Sequence, residues 1–298
     1  MRLAGWLLAA VLVVGGLVWW LARPGELPEA TRAALAAHDG DAAAGERIFW
    51  AAGCAGCHAA PGLGSDAPVE ARLVLAGGRR LVSPFGAFVV PNVSTDAEHG
   101  IGAWSEEDFA RAMLIGVSPE GRHYYPAFPY TSYIRARPED VADLWAFWQT
   151  LPADPTPSAA HDLPFPVNQR AALGVWKLLN LTDEHVLPDS PDAEVMAGRY
   201  LVEALGHCAE CHTPRDLTGG LDLSRWMRGG PNPSGEGRIP AIPDARWSAE
   251  DIEAYLFSGF TPDFDVVGGS MVDVVQHMAQ LPAADRAAIA AYLRALVE

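Results

Sequence analysis

All four cysteines of the chain lie in two copies of one five-residue motif, and this feature restricts the possible folds more than any other. The copies are Cys54-Ala-Gly-Cys57-His58 and Cys208-Ala-Glu-Cys211-His212. A Cys-x-x-Cys-His motif is typical of covalent attachment of a c-type haem. The two thiols bind the haem as thioethers, and the adjacent histidine ligates the iron from the proximal side. The motifs therefore predict two covalently bound haem c groups.

Other uses of paired cysteines fit the sequence less well. In a zinc ribbon the pairs are separated by about 15–20 residues, whereas these two motifs are 154 positions apart. A thioredoxin-like redox pair needs a βαβ setting, which no part of the sequence indicates. Because every cysteine belongs to a motif, none is left for a disulfide.

An internal repeat predicts two domains of the same fold. Trp104–Pro119 matches Trp247–Pro262 without a gap, at an offset of 143. Both copies begin with Ser-x-x-Asp, a helix N-cap pattern, and end with glycine followed shortly by proline, a helix stop. We expect an all-α fold, with tandem domains resembling class I cytochrome c at residues 38–152 and 190–298.

The first and last helices of each predicted domain also repeat. Apolar residues recur there at helical spacing, and in domain 1 we expect Phe49, Trp145 and Trp148 to pack between the two helices. A proline-rich linker and an amphipathic bridging helix are predicted between the domains, at residues 153–189. The Gly- and Pro-rich residues 213–243 are expected to form a loop around the second haem.

The N-terminal residues 1–25 are predicted to form a membrane anchor. Leu3–Ala22 is apolar and free of charge, and about 20 such residues span a bilayer as a helix. Trp19 and Trp20 lie at its end, where aromatic residues favour the membrane interface. A cleaved signal peptide is the alternative. Either reading exports the haem domains, so we expect a single-pass protein of the inner membrane with its haems on the periplasmic or outer face.

The sixth ligand of each iron is predicted from the repeat. In class I cytochrome c domains, a methionine in the loop after the middle helix usually fills this position. Met271 lies in that loop of domain 2 and is the predicted ligand, with Met278 as the weaker candidate. Methionine opposite histidine raises the reduction potential of the haem. In domain 1 the repeat places Phe128 at the equivalent position, so the expected methionine is missing.

Several readings remain for the first haem. His123 is the candidate for a second axial histidine, and the iron is otherwise five-coordinate. Met113 lies in the middle of a predicted helix and His99 in a preceding loop, so both are weaker candidates.

The chain resembles the cytochrome c subunits of membrane-bound alcohol, gluconate and aldehyde dehydrogenases over most of residues 40–298. Besides the two haem motifs, the resemblance is carried by Pro91–Asp96, Gly100–Ser105, Gly116–Pro119, Tyr125–Tyr133, His212–Arg215 and Gly268–Met271. It implies a non-catalytic carrier that accepts electrons from a separate dehydrogenase subunit and passes them to quinone, an oxidase or another cytochrome. Related subunits often carry three haems, whereas this chain has two motifs.

Two further observations concern the class of function. The net charge of −16 argues against nucleic-acid binding, which needs a basic surface. A dihaem enzyme of the peroxidase type is the alternative to the carrier, because the missing methionine in domain 1 leaves room for a substrate at the first iron.

Haem attachment can be tested directly. The thioether bonds survive denaturation, so a denaturing gel of the protein stained for haem should show a coloured band. A colourless band would contradict the central prediction of this sequence.

Overall fold

The computed structural model describes residues 2–64, 67–232, 234–235 and 237–297, and its regular structure is mostly helical, as expected. Met1 and Glu298, the outer ends of the predicted anchor and of domain 2, lie outside these residues. The helices are α1 (Arg2–Leu21), α2 (Glu29–Ala37), α3 (Ala42–Ala51), α4 (Cys54–His58), α5 (Val69–Arg72), α6 (Glu106–Ile115), α7 (Tyr130–Tyr133), α8 (Pro138–Trp148), α9 (Ala172–Asn180), α10 (Ala193–Arg199), α11 (Ala209–His212), α12 (Ala249–Ser258), α13 (Met271–Met278) and α14 (Ala283–Ala295). A π-helical turn, Tyr200–Leu205, continues α10, and Leu223–Arg225 forms a 3-10 turn.

Each half is built on a close crossing of its first and last helices, α3 with α8 and α10 with α14. A glycine lies at each crossing. A Cβ on Gly45 would overlap the carbonyl oxygen of Asp143, and a Cβ on Gly198 would overlap that of Ala288. Only glycine lets the two backbones approach this closely.

The aromatic residues predicted for the core of domain 1 are buried there. Phe49 on α3 lies 5.8 Å from Trp148 on α8, measured between ring centroids. Phe109 on α6 completes the group, with its ring centroid 5.0 Å from that of Trp145. Burial of these large apolar surfaces provides the main stabilisation of the helix pair.

The middle helices α6 and α12 begin and end alike. Ser105 and Ser248 each form a capping box with the aspartate three residues later. Gly116 and Gly259 end the helices in the left-handed conformation, with φ of 61° and 75°. The ungapped repeat seen in the sequence is therefore a structural repeat as well.

Domain 1 also contains a β-hairpin that the all-α prediction missed. Its strands are β1 (Arg80–Ser83) and β2 (Gly86–Val89), and the linker extends it, because Ala87 and Asp162 exchange two backbone hydrogen bonds of 2.9 Å. Four-residue strands are too short for a period-2 pattern to stand out from the sequence. A smaller ladder in domain 2 pairs β3 (Gly230–Pro231) with β4 (Arg238–Ile239) within the predicted Gly- and Pro-rich loop.

The linker is exposed but bound to domain 1. The side-chain amide of Asn92 donates hydrogen bonds of 2.8 Å to the carbonyls of Asp154 and Thr156. The bridging helix α9 follows the linker. It contacts the N-terminal helix α1. Among the described residues, no helix meets the combined requirements of length and apolar character for crossing a membrane.

The glycine at the α3–α8 crossing can be tested by substitution. Gly45→Ala should destabilise the fold by about 1–3 kcal/mol or more, because the added Cβ forces the helices apart. Thermal unfolding of the haem-loaded protein measures the change. Gly268→Ala is the matched control, since nothing lies within 4 Å of a Cβ built there. Equal losses in both variants would contradict the packing argument.

Candidate haem attachment sites

The first haem motif forms the short helix α4, directly after the first helix of domain 1. Gly53, with φ of 65°, makes the turn between α3 and α4. Neither cysteine is in a disulfide, and burial raises the pKa of Cys54 to about 12. Nδ1 of His58 lies 3.1 Å from the carbonyl oxygen of Pro91. When Nδ1–H donates to this carbonyl, Nε2 keeps its lone pair for a metal.

The second motif has the same construction. Nδ1 of His212 lies 2.9 Å from the carbonyl oxygen of Pro240, so the Gly- and Pro-rich loop returns to hold this histidine. Burial raises the pKa of Cys208 to about 12 and lowers the pKa of His212. Each histidine also accepts a hydrogen bond through its own carbonyl, from Gly77 in domain 1 and from Gly229 in domain 2.

These residues fit a covalently attached haem. Burial lowers the pKa of His58 to about 4, which keeps its imidazole in the neutral form that ligates iron. The backbone carbonyl at Nδ1 fixes the ring orientation and makes the ligand more basic. Each motif thus supplies two thiols, one oriented imidazole nitrogen and the turn that brings them together.

The sequence-predicted ligand of domain 2, Met271, is the first residue of α13 and is partly exposed. It follows Gly269, which has φ of 60°, at the end of the loop after α12. Met278, at the other end of α13, is buried in the hydrophobic core. The assignment of Met271 to the iron stays a prediction.

In domain 1, Phe128 stands at the position equivalent to Met271 and packs among aromatic rings. Its ring centroid lies 5.9 Å from that of Tyr124 and 5.8 Å from that of Tyr133. Met113 is buried in the core on α6, and His99 is partly exposed in its loop.

His123 is buried between domain 1 and the chain that follows α1. Its Nε2 lies 3.0 Å from the carbonyl oxygen of Ala22, and its Nδ1 is buried without a hydrogen-bond partner. Its own carbonyl accepts a 2.8 Å hydrogen bond from Arg170. Whether His123 ligates the first iron stays a prediction.

The first motif meets domain 2 at the interface between the domains. His277 on α13 packs on the glycine face of α4, where a Cβ on Gly56 would lie 2.8 Å from its Cε1 atom. Its ring centroid is 5.6 Å from that of Trp50, and its Nε2 is buried without a hydrogen-bond partner. Sequence analysis did not single out His277; its place on the buried stripe of α13, beside Met278, was the available signal.

Ion pairs and hydrogen bonds join the domains around this contact. Arg79 binds Asp273 of α13 at 2.8 Å and also donates to the carbonyl of Gly56. Arg47 donates two hydrogen bonds to Asp285, of 2.6 and 2.7 Å. The helix that begins with Met271 is therefore fixed against the first haem motif.

A buried carboxylate holds the segment that leads into the second motif. Glu203 is 1% exposed and accepts hydrogen bonds from the backbone N–H groups of Val186 and Leu187, and from Tyr292 at 2.7 Å. Burial disfavours its charged form, but these bonds and the one from His185 outweigh it, so the pKa of Glu203 lies below its ordinary value. The network ties the π-helical turn before Cys208 to α14.

Comparisons with known proteins agree with this geometry. A family model described as Cytochrome c matches residues 42–152. A diheme cytochrome c-type protein of Cereibacter sphaeroides is 55% identical over 289 residues, which cover 96% of this chain and 95% of that protein. The fructose dehydrogenase cytochrome subunit of Gluconobacter japonicus is 36% identical, over 87% of this chain and 53% of the subunit. The gluconate 2-dehydrogenase cytochrome c subunit of Pantoea cypripedii is 34% identical, over 85% of this chain and 58% of the subunit. The chain spans little more than half the length of these two dehydrogenase subunits.

The Glu203 network predicts a pH dependence of stability. A carboxyl group whose pKa is lowered by folding stabilises the fold above its unfolded pKa, and this stabilisation is lost as the pH falls through the folded pKa. Glu203→Gln should therefore cost about 1–3 kcal/mol near neutral pH, and the difference from wild type should shrink below about pH 4. Denaturant unfolding at several pH values measures it, with the exposed Glu98→Gln as control. A loss independent of pH would exclude the charge as its cause.

Proposed function

We propose that this chain, which belongs to the c-type cytochrome family and binds haem c covalently, is a dihaem electron carrier. It accepts electrons from a partner dehydrogenase and passes them to the respiratory chain. One observation carries the proposal: both haem motifs have an oriented, neutral histidine, and the first motif packs against His207 and His277 of domain 2.

The cysteines and histidines of the motifs, together with Met271, are the residues proposed to hold the haems. The haem supplies one-electron iron chemistry when bound. Cys54, Cys57, Cys208 and Cys211 would attach the two haems, and His58 and His212 would each supply an imidazole nitrogen to the iron. Met271 is the proposed sixth ligand in domain 2, and it favours a high potential there.

The close contact between the first motif and domain 2 supports transfer within the protein. Gly53 lies beside both His207 and His277 of domain 2, each with a ring nitrogen 3.6 Å from the position of a Cβ. The ion pair between Arg79 and Asp273 holds this arrangement. An interface of this kind keeps the two attachment sites at a constant separation, which a two-step carrier requires.

A dehydrogenase is the proposed electron donor. The support is the similarity to the cytochrome subunits of fructose and gluconate dehydrogenases over 85% or more of this chain. Quinone, an oxidase or another cytochrome is the proposed acceptor.

The membrane anchor and the periplasmic location also remain proposals. They are supported by the uncharged sequence Leu3–Ala22 and by the exposed side chains of Leu178 and Leu179 on α9, which contacts α1. Apolar side chains exposed beside such a helix would be covered at a lipid surface.

The ligand assignment in domain 2 predicts a spectroscopic change. Met271→Ala should lower the potential of one haem and remove the weak far-red absorption band of methionine bound to ferric iron. A redox titration followed by optical spectroscopy measures both. Met278→Leu is the matched control and should keep the band, because Met278 is a core residue. Loss of the band only in Met278→Leu would show that Met278, and not Met271, is the iron ligand.

The same titration on His123→Ala addresses the first haem. If His123 is an axial ligand, this variant converts a low-spin haem into a high-spin one while the Met271 haem is unchanged.

Rapid cyanide binding to the wild-type ferric protein together with peroxide turnover would favour the peroxidase-type alternative over the carrier.

A further inference from the structure

The turn after the middle helix has the same backbone hydrogen bonds in both domains, at equivalent positions. Val117 pairs with His123 in domain 1, and Phe260 pairs with Val266 in domain 2. Inside the turn, the N–H of Gly121 donates to Ser118 at 2.9 Å, and the N–H of Phe264 donates to Thr261 at 3.0 Å. We call the second copy, residues 257–266, the domain 2 turn. Its environment can be compared directly with that of its counterpart.

The two turns differ sharply in exposure. In domain 1, three side chains on this surface are only 2–6% exposed, and these are Leu114, Val117 and His123. Their counterparts in domain 2 are apolar, yet they are 56–62% exposed, and these are Phe257, Phe260 and Val266. The same backbone surface is thus covered in one domain and uncovered in the other.

This surface of domain 1 is covered by the chain's own α9 with the residues just before it, and by the residues that follow α1, where the Ala22 carbonyl lies 3.0 Å from His123 Nε2. Lys177 of α9 donates to the carbonyls of Ile115 and Gly116 at the end of α6, at 2.6 and 2.7 Å. Gly174 packs against His123, and Arg170 binds the carbonyl of His123. An amphipathic helix with a basic residue therefore covers this surface, and its cation caps the last carbonyls of the middle helix.

The tip of the domain 2 turn carries a strained aromatic residue. Phe264 has φ of 62° and is 97% exposed. Its counterpart Gly121 has φ of 72°, which costs a glycine little. A bulky residue in the left-handed region is energetically unfavourable, and strain of this kind concentrates at functional positions. Domain 2 thus keeps an exposed phenylalanine where its own repeat shows that glycine forms the same turn.

The surroundings of the domain 2 turn are acidic. Asp251 lines a groove of about 470 Å³ together with Phe260 and Phe264. Asp263 and Asp265 flank Phe264 in the turn and are exposed. Of the cations nearby, Arg246 pairs with Asp244. Arg286 donates to the carbonyl of Leu281, and its guanidinium lies 4.7 Å from the centroid of the Phe257 ring. An apolar surface with an acidic rim and helix-terminal carbonyls is complementary to a basic, amphipathic helix.

We propose that the domain 2 turn docks an amphipathic helix of a partner polypeptide, which places an apolar stripe on Phe257, Phe260 and Phe264 and a lysine or arginine at the carboxyl end of α12. This occupant has the chemistry of the α9 segment that covers the equivalent surface of domain 1. The turn is followed directly by Gly268–Met271. The N–H of Val267, between them, donates to the carbonyl of Gly259 at 2.7 Å and so holds this segment against the end of α12. Docking here brings a partner next to the segment of the proposed Met271 ligand.

Photo-crosslinking in the producing cell tests the proposal on the full-length protein. Benzoylphenylalanine replaces Phe260, and the crosslinked peptide is identified by mass spectrometry. We expect one partner polypeptide, joined through a segment that has lysine or arginine among apolar residues at helical spacing. The same probe at Leu217, which is fully exposed elsewhere on domain 2, should not give this product.

Two variants make the result specific. Phe264→Gly should raise the thermal midpoint by removing the strained φ, while it lowers the yield of crosslink at position 260 several-fold. Asp263→Lys should lower the yield through charge reversal. A product with lipid, with a second copy of this chain, or with a segment that lacks a basic residue would overturn the proposal. So would the absence of a product, or a yield unchanged in Phe264→Gly.

Discussion

The glycine-mediated crossing of the first and last helices positions everything else in each domain. At Gly45 and Gly198 the backbones come close enough that the carbonyl of the opposing helix occupies the place of a side chain. Since α3 runs directly into α4, this crossing also fixes the first haem motif. In domain 2 the π-helical turn that precedes Cys208 contains the buried Glu203, which is hydrogen-bonded to Tyr292 of α14. This bond fixes the position of the second haem motif relative to α14. Buried charge is tolerated there because two backbone N–H groups and the side chains of His185 and Tyr292 hydrogen-bond to the carboxylate.

The interface between the domains depends on a second set of glycines. Gly53 and Gly56 leave one face of α4 without side chains, and His277 and His207 of domain 2 occupy that face. Arg79 adds a charged contact to α13, the helix that starts with Met271. A motif that attaches one haem and a helix proposed to ligate the other are thus parts of one packed interface.

Repeats make differences between the domains informative. The turns after α6 and α12 share their backbone, so their unequal exposure reflects what each surface contacts rather than how it folds. In domain 1 the linker and α9 fold back over the turn, whereas Phe257, Phe260 and Phe264 of domain 2 remain exposed. Phe264 has a strained backbone conformation, whereas glycine, at the equivalent position 121, adopts it without strain. This difference is the main reason to propose that the surface binds a partner.

The sequence by itself determined the haem motifs, the two-fold repeat and the helical class, because each is encoded in local spacing: two residues between the cysteines of each motif, two between Ser105 and Asp108, and an ungapped offset of 143. Phe49, Trp145 and Trp148 could be placed in the core for the same reason. Only the tertiary structure decided which carbonyls orient His58 and His212, that His277 packs on α4, and that α9 covers one turn and leaves the other exposed. These contacts join residues far apart in the chain, from 28 positions for His212 and Pro240 to more than 200 for His277 and Gly56. No local periodicity records such pairings, since they follow from how the helices pack.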